Sequence, residues 1–429
     1  MTISNIKQKL GKHFNLVWSS SIISSFGSQI TIIALPLMAV YILKANTLEV
    51  GIVTGLSFLP NFLIGFQAGA YVDRLSKKKI MILSQVLSAL LLILLSVITI
   101  TGYLNIIILY MFTFFLGCCG VFYSLAYYAY IPSIVETASL QKGNSRLELA
   151  NGGVQTVGPG VGGLLIQALT VPFAILIDAL SFIISIVLIW FVPNDRTIIQ
   201  QTNNMPKDSI WVDVKEGIKF TFQHTILCPI LISYVLSVIF IGLYQAISIL
   251  YMLKVLDFSA KTIGIVIGVG NIGYILGALI SNKLSKVVGL GKSVILSLGL
   301  YPIGFLIIGM APKNHAIFWI VLGQLILSMG TPMYNVNVIS LRQAITPNHL
   351  LARVGSVWRV FGRGFVPLGA VLGGVLGTFM GLRGAIIASA IGGFCALLPA
   401  IFSQLTKIKS IETASKFVVE ENFNGELKT

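Results

Sequence analysis

Long apolar runs recur through nearly the whole chain, and that repetition limits its fold more than any other feature. Twelve can be drawn, at approximately 15–43, 49–72, 79–101, 104–130, 147–169, 171–192, 225–253, 260–285, 292–311, 315–340, 352–379 and 382–405. About 20 residues of helix, rising 1.5 Å each, cross roughly 30 Å of hydrocarbon, and each run is of that order. The composition leaves no other use for them: 56% of the 429 residues are hydrophobic and only 10% charged, whereas a soluble domain carries about a quarter charged. Inside lipid the backbone has no water to bond, so only helices or a closed barrel can span it, and continuous rather than alternating runs select helices. The expected fold class is an all-α membrane protein with twelve transmembrane helices.

The net charge of +15 raises nucleic acid as a partner, and the placement of the cations decides against it. If the runs alternate across a membrane, 24 of the 29 lysines and arginines fall on one side and only Lys44, Lys254, Lys261, Lys313 and Arg383 on the other. That asymmetry satisfies the positive-inside rule, supports the span count, and places both termini and the central loop on the cytoplasmic side. The first run is too long for a signal-peptide core and lacks a small-residue cleavage site, so it is expected to be retained. Cys118, Cys119, Cys228 and Cys395 lie in or beside spans without metal-ligand spacing, and read as apolar packing residues.

The longest polar break divides the spans six and six. The expected organisation is an N-terminal bundle over 1–192, a cytoplasmic central loop over 193–224, a C-terminal bundle over 225–405 and a cytoplasmic tail over 406–429. Within the loop, WVDVKEGIKF mixes charged and apolar residues at helical spacing, which predicts an amphipathic helix on the membrane surface. Internal echoes point to duplication. GAYVDRLSKKK at Gly69–Lys79 is echoed by GALISNKLSK at 277–286, and VGPGVGG at 157–163 in the fifth span by VPLGAVLGG at 366–374 in the eleventh. Paired interrupted helices at corresponding positions point to a transporter with a central site between its halves.

Gly69, Asp73, Arg74, Lys77, Lys78 and Lys79, between spans two and three, resemble the signature loop of the major facilitator superfamily. IPSIV at 131–135 with GNS at 143–145, the VGPGVGG run, Asp178, DVKEG at 213–217 and RQAITPNHLLARVGS at 342–356 resemble the branch holding the macrolide efflux proteins and the enterobactin exporter. The resemblance covers nearly the whole chain. It implies two six-helix bundles related by pseudo-symmetry in the cytoplasmic membrane of a bacterium. It also implies export of an amphipathic small molecule, such as a macrolide, by alternating access with protons as coupling ion, and a monomer. A siderophore or other secreted metabolite is the alternative cargo; a sensor or membrane enzyme without transport is the reading from another class.

Within that resemblance, a small residue at 69 lets helices approach closely, and the Asp73 carboxylate can bind a facing helix or arginine, with Arg359 and Arg363 near the start of span eleven as candidate partners. The basic cluster beside it serves topology and anionic lipid equally well. Gly158, Pro159, Gly162 and Gly163 match the later part of the exporter pattern of span five, although Ser145 and Val154 stand where earlier glycines are expected. Asp178 is the acid deepest in a span and must be paired, protonated or facing water; proton coupling and a helix-to-helix hydrogen bond both fit it. Span four lacks the arginine many proton-coupled relatives carry, which speaks against a simple Asp–Arg relay. Gln29, Tyr123, Tyr127, Tyr244, Gln245, Asn335 and Asn337 are candidates for a cavity that is mostly apolar with a few polar groups. GVGNIG at 268–273 matches a dinucleotide motif but lies within a span with no strand before it. The scattered His13, His224, His315 and His349 form no metal pair, and no phosphate-binding loop is present, so no cofactor is expected.

Overall fold

The computed structural model of the chain describes residues 11–135, 140–194, 210–347, 350–410 and 413. The first six spans are α1 (Lys12–Tyr41), α2 (Thr47–Leu63) continued by α3 (Gly65–Arg74), α4 (Lys77–Ile100), α5 (Ile106–Ile134), α6 (Leu140–Leu169) and α7 (Val171–Trp190). After α8 (Ile210–Gln223) come α9 (Leu227–Lys254), α10 (Ala260–Gly270) continued by α11 (Ile272–Val288), α12 (Leu290–Gly309) and α13 (Ala316–Ile345). The chain closes with α14 (Leu351–Gly364) continued by α15 (Val366–Phe379), then α16 (Gly381–Cys395) and the short α17 (Leu398–Ile401). Among the described residues ten helical stretches are long and apolar enough to cross a membrane. Span two, α2 with α3, and span five, α6, complete the twelve.

Local chemistry sets the helix starts. Asn46 accepts from the Glu49 amide at 2.9 Å while the Glu49 carboxylate accepts from the Asn46 amide at 2.7 Å, a reciprocal cap that satisfies donors the helix cannot. Asn105 caps α5 through the Ile108 amide at 2.9 Å, and Ser259 caps α10 through the Thr262 amide at 3.2 Å. At the opposite pole, the Lys78 ammonium donates to the carbonyls of Trp190 at 3.0 Å and Val192 at 2.6 Å. A cation is thereby placed where α7 leaves its last carbonyls unpaired.

Three interface spans change direction midway: span two at Ile64, span eight at Asn271 and span eleven at Phe365. Pro60 and Pro367 flank two of these breaks, where the missing amide donor weakens the helical ladder. Span five keeps its helix through Pro159. The amphipathic helix expected in the central loop is present as α8, and it packs on α14 through an ion pair between Glu216 and Arg353 and the Gly217 backbone against that of Arg353.

Candidate functional site

A cavity of about 830 Å³ lies between the two sets of six spans. Both walls mix polar and apolar groups. Spans one to six contribute hydroxyls and amides, among them Ser24, Ser28, Gln29, Gln85, Ser88, Tyr123 and Gln155, with Asp178 as the carboxylate, between apolar residues such as Ile32, Leu35 and Phe182. Spans seven to twelve contribute Tyr244, Gln245, Tyr301, Phe305, Asn271 and Gln324, with Arg363 at the rim. Aromatic stacking holds that second wall, with the Tyr244 and Phe305 rings 4.8 Å apart.

Asp178 is 1% exposed and fastens α7 to α1. Its carboxylate accepts from the Thr31 hydroxyl and from Ser181 Oγ at 3.1 Å. A Cβ at Gly27 would fall 2.3 Å from Asp178 Oδ1, so the absence of a side chain at position 27 is what lets the carboxylate reach across. A buried charge needs such partners, because hydrocarbon supplies none.

A second polar centre bridges the two halves. At the break in span eight, Asn271 Nδ2 donates to the Gln155 carbonyl of span five at 2.7 Å. Its Oδ1 accepts from Gln324 Nε2 at 3.1 Å and Ser328 Oγ at 2.9 Å, and Tyr244 donates to Gln324 Oε1 at 3.2 Å. Sequence reasoning missed Asn271, Gln324, Gln155 and Gln85. The available signal was an amide inside an apolar run, where an unmet amide is costly; for Asn271 it was hidden inside GVGNIG, set aside as a false dinucleotide motif.

The exporter-type glycines lie at the end of the bundle opposite the basic loops. There span five turns two faces to two partners. Gly158 and Gly162 take Gln29 and Ile30 of span one, while Pro159 and Gly163 meet span eight; a Cβ on Gly163 would sit 2.3 Å from the Ala260 carbonyl, and one on Gly264 2.2 Å from that of Pro159. Span eleven repeats the scheme. Gly369 and Gly373 receive the Ile239 and Leu243 carbonyls of span seven, while Ala370 and Gly374 lie against Gly51 and Leu48 of span two. Residues of that size bring backbones into direct contact, where dispersion and weak Cα–H hydrogen bonds replace the hydrophobic drive that lipid does not supply.

At the basic end, a Cβ at Gly69 would meet nothing within 4 Å, so the close approach expected there is not made in this structure. Phe62 lies against Gly364 and Phe365, ring centroids 6.3 Å apart, and nearer the basic end a Cβ on Gly65 would still reach Val360 of span eleven at 4.0 Å. The side chains of Asp73 and Arg74 lie outside the described residues, as do those of Gly143–Ser145. Lys79 and Arg359 are exposed, Lys77 is half-buried, and Arg363 reaches the cavity.

Of the other candidates, Tyr127 is buried in an apolar cluster at the basic end, stacked on Tyr123 with centroids 5.9 Å apart. Asn337, 2% exposed, donates to Ser293 Oγ at 2.9 Å and the Met333 carbonyl at 2.8 Å; it joins α13 to α12 instead of facing the cavity. Asn335 is half-buried and also lies off the wall. Helical phase turns Asn337 toward α12, whereas Tyr127 shares the helix face of Tyr123 and differs in depth, one turn nearer the basic end.

The family model described as transmembrane secretion effector, within the major facilitator superfamily, matches residues 5–428. The multidrug efflux pump Tap of Mycolicibacterium fortuitum is 24% identical over 420 residues, 94% of this chain and 97% of that protein. The uncharacterized MFS-type transporter YfiS of Bacillus subtilis is 26% identical over 242 residues, 56% of this chain and 54% of the relative, so that match spans about half of its length. Among solved structures, a point mutant of the nucleoside transporter NupG superposes with a TM-score of 0.73 at 12% identity, covering 91% of this chain and 99% of that one. A bacterial homologue of the iron transporter ferroportin, in an inward-facing state, gives 0.69 at 16% identity, covering 93% and 100%. Twelve helical spans in two packed sets, their interrupted interface helices and a family match over almost every residue make the chain a membrane transporter of the major facilitator superfamily, in its transmembrane secretion effector family.

Proposed function

We propose that the protein exports an amphipathic small molecule across the cytoplasmic membrane of a bacterium by alternating access, with inward proton flow as the drive. The observation that carries this reading is the central cavity between the two sets of spans, sealed at one end by the two glycine seams. With the basic loops cytoplasmic, as the positive-inside rule requires, the sealed end is the outer one and cargo would enter from inside, which supports export. A cavity that mixes apolar and aromatic groups with hydroxyls and amides suits a molecule with a greasy body and a few polar groups.

Turnover then requires the glycine seams to part and the basic end to close. Asp73 and the arginines Arg359 and Arg363 on span eleven are the candidates for holding that second state, with Gly69 giving the backbones room to meet. Asp178 is the candidate proton carrier: it is the acid on the cavity wall, and protonation would change its bond to Thr31 and so the seating of α1 on α7. Each elementary charge entering down 100 mV supplies about 2.3 kcal/mol. The relative Tap, a multidrug efflux pump, supports a drug as cargo.

The test is efflux from proteoliposomes with an imposed proton gradient, using a macrolide, a fluorescent cationic dye and a catecholate siderophore. Gradient-dependent movement of a drug supports the reading; movement of the siderophore alone transfers it to metabolite export. No movement of any of them under proton or sodium gradients, in protein verified as folded, overturns it.

A further inference from the structure

Gln85, in α4, is 1% exposed, lines the cavity, and has no hydrogen-bond partner for either its Oε1 or its Nε2. The buried hydroxyl of Tyr123 faces the same place. It stands among Ser20, Ser21, Ser24 and the Gln85 amide without a hydrogen bond of acceptable geometry to any of them. The neighbouring serines cannot relieve the Gln85 carbonyl. Ser20, Ser24, Ser84 and Ser88 already donate within their own helices, to the carbonyls of Val17, Ser21, Ile80 and Ser84, and present only lone pairs.

Three strong hydrogen-bonding atoms left unpaired together at a cavity wall are expensive, since each forfeits its bonds to water. A group that donates to Gln85 Oε1 while accepting from Gln85 Nε2 or the Tyr123 hydroxyl relieves the whole set. Hydroxyl and carboxamide groups do both; quaternary cations and carboxylates each do at most half.

We propose that Gln85 and Tyr123, backed by Ser24 and Ser88, form a recognition subsite that selects cargo through a neutral hydroxyl or carboxamide group. The apolar body of the same molecule lies against Tyr244, Tyr301 and Phe305 on the opposite wall. This subsite deepens the export reading and rests on it, yet binding to it is measurable without transport.

The test uses the full-length protein in lipid nanodiscs and three probes: thiamphenicol, florfenicol, in which one hydroxyl of thiamphenicol is replaced by fluorine, and tetraphenylphosphonium, which has neither group. Wild-type protein binds thiamphenicol and also florfenicol, which keeps a hydroxyl and the carboxamide. Gln85→Leu weakens thiamphenicol about tenfold, the loss expected for a buried bond of this kind, and leaves tetraphenylphosphonium unchanged. Its melting temperature without ligand is equal to or above that of wild type, because an apolar group replaces an unsatisfied one. Should Gln85→Leu fail to fold, Tyr123→Phe carries the same expectation. No binding of either phenicol, or an equal loss for all three probes, overturns the subsite. Unaltered affinities in both variants overturn it as well, and mean that only water occupies the place. Flux of the same probes separates the two readings: binding that depends on Gln85 without movement refutes export and keeps the subsite, whereas movement indifferent to Gln85 does the reverse.

Discussion

Adding one methyl group at Gly163 tests whether the glycine seams close the far end of the cavity. The Cβ of Gly163→Ala would sit 2.3 Å from the Ala260 carbonyl oxygen and 3.1 Å from the Gly264 Cα. Both obstacles are backbone, so no rotamer change relieves them, and spans five and eight must part by about 1 Å to reach ordinary contact. Overpacking of this kind costs about 1–3 kcal/mol. The penalty falls on the far-end-closed state alone, so it moves the conformational equilibrium toward the far-end-open state by about 5-fold to 150-fold. Gly160 supplies the control on the same helix, because the nearest atom to a Cβ there is the Gly264 carbonyl at 3.9 Å. In a background without native cysteines, spin labels at Leu169→Cys and Lys261→Cys, both exposed near that end, report the separation by pulsed electron paramagnetic resonance. Gly163→Ala should enlarge the long-distance population and Gly160→Ala should not. An unchanged distribution in folded Gly163→Ala protein, or the same change in both, refutes the seam as the closing element.

Three further outcomes are expected. Asn271→Ala removes the bridge to Gln155 and leaves Gln324 and Ser328 without their acceptor, so it should lower thermal stability by about 1–3 kcal/mol and favour the far-end-open state; a melting temperature equal to wild type would show the bridge to be idle. Asp178→Asn should insert and fold while flattening the pH dependence of efflux, and an unchanged profile would leave Asp178 only its role of joining α7 to α1. Asp73→Asn should reduce transport far more than membrane insertion; near-normal flux would remove the gate at the basic end.

The spans were legible in the sequence because burial in lipid is a one-dimensional demand: every residue of a run must be tolerable to hydrocarbon, and length alone sets the crossing. The same holds for the amphipathic α8, since its pattern repeats along a single helix. The glycines at 158–163 and 366–374 announced close packing, and most meet backbone, with Gly158 meeting the Gln29 side chain instead. Their division into one face for the same half and one for the other could not be read from spacing. Candidate cavity residues fared unevenly for the same reason. Gln29, Tyr123, Tyr244 and Gln245 reach the wall, whereas Asn337 spends its amide on Ser293 and Tyr127 stacks within the basic-end cluster.

By itself the sequence determined a twelve-span helical transporter with its basic loops on one side, because hydropathy, length and charge bias act on each segment separately. Only the tertiary structure decided which polar groups share the cavity, that Asn271 ties span eight to span five, and that backbone contact closes the glycine end. Those are properties of helix rotation and of contacts between residues more than a hundred positions apart, such as Asn271 with Gln155 or Asp178 with Thr31. In a helix, turning by one residue moves a side chain about 100° around the axis, so a pattern that fixes where a span lies leaves open what each of its polar residues will meet.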